Sequence, residues 1–131
     1  MADLTGISIL LVEDRDDERE LYATAMEVLG AQVTASATIK DTIRILAISK
    51  PDIIVTDIAF PGESGYDLLR HVRNDESSAL KTVPIVAITG MIRVGVREDT
   101  NVFDAVLDKP LDMEQLGEMI ADLVKGNKPE S

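Results

Sequence analysis

The sequence predicts an α/β fold: a doubly wound, five-stranded parallel sheet of flavodoxin-like (βα)5 topology, strand order 2-1-3-4-5. Three observations predict it. Short apolar runs of the kind buried on both faces of a sheet alternate with helix-period segments along the whole chain. The connections between them are short, which suits crossovers onto neighbouring parallel strands. Two of the runs, SILLVE and PDIIVTD, also close on an acid.

Each element follows from its residues. SILLVE, Ser8 to Glu13, is the first strand. Leu21, Ala25, Val28 and Leu29 then recur at helical spacing until Gly30 stops the helix. AQVTASA is a short second strand. Ile39, Ile43, Leu46 and Ala47 mark one face of a second helix, which Pro51 ends. PDIIVTD, Pro51 to Asp57, is the third strand, and FPGESG after it is a turn-rich loop. Ser64 is the N-cap of a helix carrying Leu68, Leu69 and Val72. VPIVAITG is the fourth strand, with Pro84 tolerated at its start. Met91 to Thr100 is poorly written for the fourth helix, because Gly95 interrupts it and β-branched residues crowd it. AVLD, Ala105 to Asp108, is a fifth strand, and Met113, Leu116, Ile120 and Leu123 mark the last helix.

A length of 131 residues and 45% hydrophobic content fit one domain with a sizeable core, over 1–125, followed by a polar tail, 126–131. No apolar run is long enough to span a bilayer, and MADLTG has no basic flank of the signal-peptide kind, so a cytoplasmic location is expected. The absence of cysteine excludes disulfides and thiolate metal sites. A net charge of −11 argues against direct nucleic-acid binding, since phosphates are repelled over the whole surface. It suits a metal-binding or protein-binding module, but taken alone it marks no more than a surface that stays soluble.

The chemistry lies at the strand ends. From Glu13 to Glu20 six acids stand against two arginines, a local charge of −4. Asp16 to Glu20 read as solvated residues of a helix start, where the macrodipole tolerates acids. Glu13 and Asp14 differ, because a buried strand stops there. In a doubly wound sheet, ligands bind at the carboxyl ends of the strands near the switch point. That end gathers Glu13, Asp14, Asp57, Thr89 and Lys109. Two carboxylates about 4 Å apart repel by roughly 4 kcal/mol at an effective dielectric near 20. Three carboxylates and one ammonium leave −2, which one divalent cation neutralises. All-oxygen donors suit a hard ion, Mg²⁺ above all, which leaves room for phosphate oxygens. Asp57, alone at the end of the central strand, is the candidate nucleophile toward phosphorus, and Glu13 and Asp14 are the candidate metal holders. Lys109 and the Thr89 hydroxyl can meet phosphoryl oxygens, so catalysis is positioning and charge neutralisation. His71, between Arg70 and Arg73 on a charged helix face, reads as a surface residue.

Taken in order, Glu13-Asp14, Asp57 after IIVT, Phe60-Pro61, Ser64-Gly65, Thr89-Gly90 and Lys109-Pro110 resemble the receiver domains of two-component response regulators, over Ile7 to Val124. The resemblance implies that Asp57 accepts a phosphoryl group from a phosphohistidine on a sensor histidine kinase or histidine phosphotransfer protein. It implies Mg²⁺ held by Glu13 or Asp14, by Asp57 and by the backbone carbonyl of Ala59. It also implies a cis peptide between Lys109 and Pro110. The chain departs from the family where phosphorylation is usually read out. Val106 stands where an aromatic is usual, Val102 and Phe103 replace a Gly-Ala pair, and the Thr89 to Lys109 interval is short. Phe103 is a candidate to fill the space of the missing aromatic.

Three function classes follow. The first is a phosphoacceptor switch, and the second a receiver-like interaction module that works without phosphorylation. The third, a flavodoxin-like electron carrier, needs a Ser/Thr/Gly-rich phosphate cradle after the first strand, where this chain puts acids.

Overall fold

The computed structural model describes residues 2–90 and 102–126. The helix expected at Met91 to Thr100 and the tail residues after Gly126 lie outside the described residues. Seven strands are described: β1 (Ser8–Val12), β2 (Gln32–Ser36), β3 (Ile53–Asp57), β4 (Ala59–Phe60), β5 (Glu63–Ser64), β6 (Ile85–Thr89) and β7 (Ala105–Asp108). The helices are α1 (Asp16–Val28), α2 (Ile39–Leu46), α3 (Gly65–Arg73), α4 (Ser78–Lys81) and α5 (Met113–Val124). The main sheet is parallel, in the order β2-β1-β3-β6-β7, which is the 2-1-3-4-5 winding expected once the small β4-β5 hairpin is set aside. No helix among the described residues is long and apolar enough to cross a membrane.

Alternation along each strand divides the core in two. Ile9 and Leu11 of β1, Ile53 and Val55 of β3, and Val86 and Ile88 of β6 pack under α1 and α5. Leu10, Val12, Ile54, Ile85 and Ala87 pack on the other face under α2 and α3. Both faces of the central strands are therefore dry, which is why those strands read as unbroken apolar runs. Each fully buried Leu or Ile here contributes about 2 kcal/mol relative to an exposed one.

The face of α1 differs from the sequence reading. Tyr22 and Met26 are buried, whereas Leu21 is 65% and Val28 78% exposed. Of the expected Leu21, Ala25, Val28 and Leu29 face only Leu29 packs on this core, because Tyr22 and Met26 line up with it as a second apolar stripe one residue away. In α2 the interior takes Ile39, Thr42 and Leu46, while Ala47 is exposed. Thr42 is tolerated inside because its hydroxyl donates to Thr38 O at 2.7 Å.

The helix starts are locally specified. Thr38 caps α2 by accepting from the Asp41 N–H at 3.0 Å, and Asp112 caps α5 by accepting from Glu114 and Gln115. At α3 the Asp67 carboxylate accepts the Ser64 N–H at 2.8 Å, the second half of a capping box. The single turn α4, absent from the sequence reading, is too short to carry a helical period. Gly30 sits at φ 107°, and a Cβ there meets Thr5 Oγ1 at 2.6 Å, so only glycine turns the chain from α1 toward β2. Arg73 clamps the far end of the sheet, donating to Val83 O at 2.7 Å and pairing with Asp104 at 2.8 Å.

Candidate functional site

The sheet register assembles the site. Val12 of β1 pairs with Thr56 of β3, so Glu13 and Asp57 leave the sheet side by side. Asp57 pairs with Ile88 of β6, and Thr89 with Asp108 of β7, which carries Lys109 to the same rim. The Lys109 N–H donates to Thr89 O at 2.8 Å, and the Lys109–Pro110 peptide is cis. Asp14, Arg15, Glu18, Asp57, Ala59, Gly90 and Lys109 line one cleft at these strand ends.

Glu13 is fully buried. Its N–H donates to Ser36 O at 3.0 Å and its carbonyl accepts from Arg19 Nη1 at 3.0 Å, which fixes the chain as it leaves β1. Its Oε1 meets Lys109 Nζ at 2.8 Å and its Oε2 accepts the Arg15 N–H at 3.1 Å. Asp57 is 7% exposed. Its Oδ1 accepts the Ile58 N–H at 2.7 Å and its Oδ2 meets Lys109 Nζ at 2.8 Å. The strand end beneath it is held by a close approach: a Cβ on Gly65 meets Asp57 O at 2.6 Å, and the Gly65 N–H donates to Ile58 O at 2.7 Å. The start of α3 thereby rests directly on the backbone that presents Asp57.

Lys109 is the hub. Its ammonium contacts Glu13, Asp57 and, at 2.9 Å, Glu18 Oε1. Burial works to lower the lysine's pKa, but the hydrogen bonds to Asp57, Glu13 and Glu18 win and hold it well above the ordinary lysine range. Glu13 is shifted upward, because its burial outweighs the hydrogen bonds from Lys109 and Arg15, and the Asp57 charge adds to the shift. The Thr89 hydroxyl donates to Gly90 O at 3.1 Å.

Glu13, Asp14 and Asp57 each offer a carboxylate oxygen within 4.8 Å of the others. Three anionic oxygens so close repel one another, and the set fits a small hard cation such as Mg²⁺. With Glu18 included, the carboxylates of Glu13, Asp14, Asp57 and Glu18 stand against Lys109 and Arg15, a formal net charge of −2 at these strand ends.

Glu18 is the residue the sequence reading missed. Asp16 is solvated as expected, 90% exposed at its side chain, but Glu18 is 24% exposed and reaches Lys109, Arg15 Nε at 2.8 Å and the Tyr22 hydroxyl at 3.2 Å. The signal lay in the helix phase. Glu18, Tyr22 and Met26 lie four residues apart on the buried side of α1, with Glu18 nearest the strand ends. His71 is exposed on α3, and Phe103 is buried with its ring centroid 5.0 Å from that of Tyr66, beside the half-buried Val106.

Comparison with known proteins adds the lineage of this arrangement. Residues 9–121 match the family described as response regulator receiver domain. The chain is 34% identical over 123 residues to the "Regulator of RpoS" of Escherichia coli (strain K12), covering 89% of this chain and 34% of that protein. It is 30% identical over 130 residues to "Hybrid signal transduction histidine kinase D" of Dictyostelium discoideum, covering 93% of this chain and only 8% of that protein. An uncharacterized 14.6 kDa protein of Leptolyngbya boryana is 32% identical, with 88% of each chain covered. Among solved structures, the receiver domain of sensor histidine kinase PA1611 from Pseudomonas aeruginosa PAO1, described with a magnesium ion coordinated in its active-site cleft, is 28% identical. It superposes with a TM-score of 0.82 over 92% of this chain and 99% of that one.

Proposed function

This chain belongs to the response regulator receiver domains, and from that premise we propose that it is a phosphoacceptor switch of a two-component phosphorelay. Residues 1–125 act as the receiver domain. A phosphohistidine on a sensor histidine kinase or histidine phosphotransfer protein is the donor, and Asp57 is the acceptor. The P–N bond of the ring-protonated phosphohistidine breaks, a P–O bond to an Asp57 carboxylate oxygen forms, and the donor leaves as neutral imidazole, keeping its ring proton.

The observation that carries this reading is the convergence on Asp57. Its carboxylate is buried, engaged at Oδ1 by the Ile58 N–H and paired at Oδ2 with Lys109, beside two further carboxylates. Oδ1 accepts the Ile58 N–H and Oδ2 accepts from the Lys109 ammonium, so the carboxylate is held in one orientation for attack on phosphorus. The Lys109 ammonium, held protonated, exchanges carboxylate oxygens for phosphoryl oxygens as charge arrives. The Thr89 hydroxyl can turn from Gly90 O toward the phosphoryl group. Glu13, Asp14 and Asp57, with the carbonyl of Ala59, are the residues to hold Mg²⁺, which when bound supplies neutralisation of phosphoryl charge.

The test is intact-mass measurement after incubation with acetyl phosphate, with and without Mg²⁺. A gain of one phosphoryl group that needs Mg²⁺ supports the switch. No gain under either condition favours an interaction module that works without phosphorylation.

A further inference from the structure

Two of the three carboxylates suited to the cation are already engaged by the protein's own ammonium. Lys109 Nζ sits 2.8 Å from both Glu13 Oε1 and Asp57 Oδ2, the very groups a cation shares with Asp14. The lysine and the cation therefore compete for the same two carboxylates. Lys109 has one further carboxylate partner, Glu18 Oε1 at 2.9 Å, and Glu18 stands outside the trio. Glu18 is held ready, since Arg15 Nε fixes its Oε2 at 2.8 Å and the Tyr22 hydroxyl donates to its Oε1 at 3.2 Å.

We propose that Glu18 is a positioning residue: it gives the Lys109 ammonium a seat beside the cation site, so that Glu13 and Asp57 can turn to Mg²⁺ without stranding a buried lysine charge. The inference rests on the metal site proposed above and extends it to a residue outside the ligand set. Glu18 acts through Lys109. Without its charge, the ammonium falls back on Glu13 and Asp57 alone, and each Mg²⁺ that binds leaves a partly buried cation poorly paired. A plain effect of negative charge on Mg²⁺ attraction predicts something else, because it operates whether or not Lys109 is present.

The experiment is a double-mutant cycle read by Mg²⁺ titration of backbone amide shifts, with Mg²⁺ alone as the probe. Glu18→Gln keeps the length of the side chain and can still bond Arg15 and Tyr22. It is expected to weaken Mg²⁺ binding by roughly three- to tenfold in the otherwise wild-type chain, and by less than about twofold when Lys109→Met is already present. Glu18→Asp keeps the charge but is one methylene shorter, and it is expected to behave like the Gln variant, since it falls short of Lys109. Equal losses in both Lys109 backgrounds overturn the proposal, as does an unchanged affinity in Glu18→Gln or full recovery in Glu18→Asp. A wild-type chain without Mg²⁺ affinity instead overturns the metal site itself, and this inference with it. Amide spectra of each variant without Mg²⁺ report folding independently of the titration.

Discussion

The Lys109 ammonium lies 2.8 Å from Asp57 Oδ2 across 52 residues of sequence, joining the end of β7 to the end of β3. The pair is a folding contact as well as a chemical one. Lys109→Met leaves buried Glu13 and Asp57 facing each other uncompensated, and the metal-free protein should lose about 2–4 kcal/mol of stability. Mg²⁺ should recover part of this loss, because the same carboxylates are released to it. Beryllofluoride, a phosphoryl mimic, should still bind but give a much smaller amide-shift response than in the wild type. Urea unfolding with and without Mg²⁺ measures the first two effects. The lysine's own contribution is complete below its ordinary pKa, and it fades only as pH climbs through the raised folded value, so neutral pH is the right condition.

Glu13 is shifted in the same direction, but in the acid range. Its folded pKa is raised, so the folded state holds a proton more tightly than the unfolded chain. Its contribution is present below the ordinary value of 4.5 and is lost as pH rises through the folded value. Glu13→Gln removes that cost. The stability difference between variant and wild type, metal-free, should grow in favour of Gln as pH rises from acid to neutral. Parallel denaturation curves across that range check it; a constant difference contradicts it.

Gly65→Ala should damage the site without touching a side chain in it. The new Cβ lies 2.6 Å from Asp57 O and 3.2 Å from the Ile58 Cα, both backbone atoms, so α3 must back away from the strand end. A loss of about 1–3 kcal/mol is expected. Phosphoryl labelling should slow by more than the unfolded fraction explains, since Asp57 shifts with its carbonyl. Labelling rates corrected for folded fraction read this directly.

Mg²⁺ should stabilise the wild type by mass action, by about 1.4 kcal/mol at tenfold excess over its dissociation constant. Asp14→Asn should reduce that gain and slow labelling, because it withdraws one member of the carboxylate trio. Melting curves over a Mg²⁺ series measure it, and a wild-type curve indifferent to Mg²⁺ contradicts it.

Much of this was legible in the sequence for a physical reason. Central strands dry on both faces must be apolar throughout, so Ile53 to Val55 and Ile85 to Ile88 could be read as strands, and the order placed Glu13, Asp57 and Lys109 on one rim. Helix phase was less legible. On α1 two apolar stripes lie one residue apart, and only packing against β1 and α5 chose Tyr22 and Met26 over Leu21 and Val28. The same slip hid Glu18, since acids in a first turn look alike until the buried side of the helix is fixed. Thr42 is illegible for a related reason: a hydroxyl enters a core only where a carbonyl such as that of Thr38 accepts from it.

The central claim is that Asp57 takes the phosphoryl group, and the most direct measurement compares the wild type with Asp57→Asn under acetyl phosphate and Mg²⁺. The substitution keeps the shape of the side chain and removes the nucleophilic charge. Intact mass should show one added phosphoryl group on the wild type and none on the variant, with both proteins folded by amide spectra. Labelling of the folded variant to the same extent as the wild type contradicts the account.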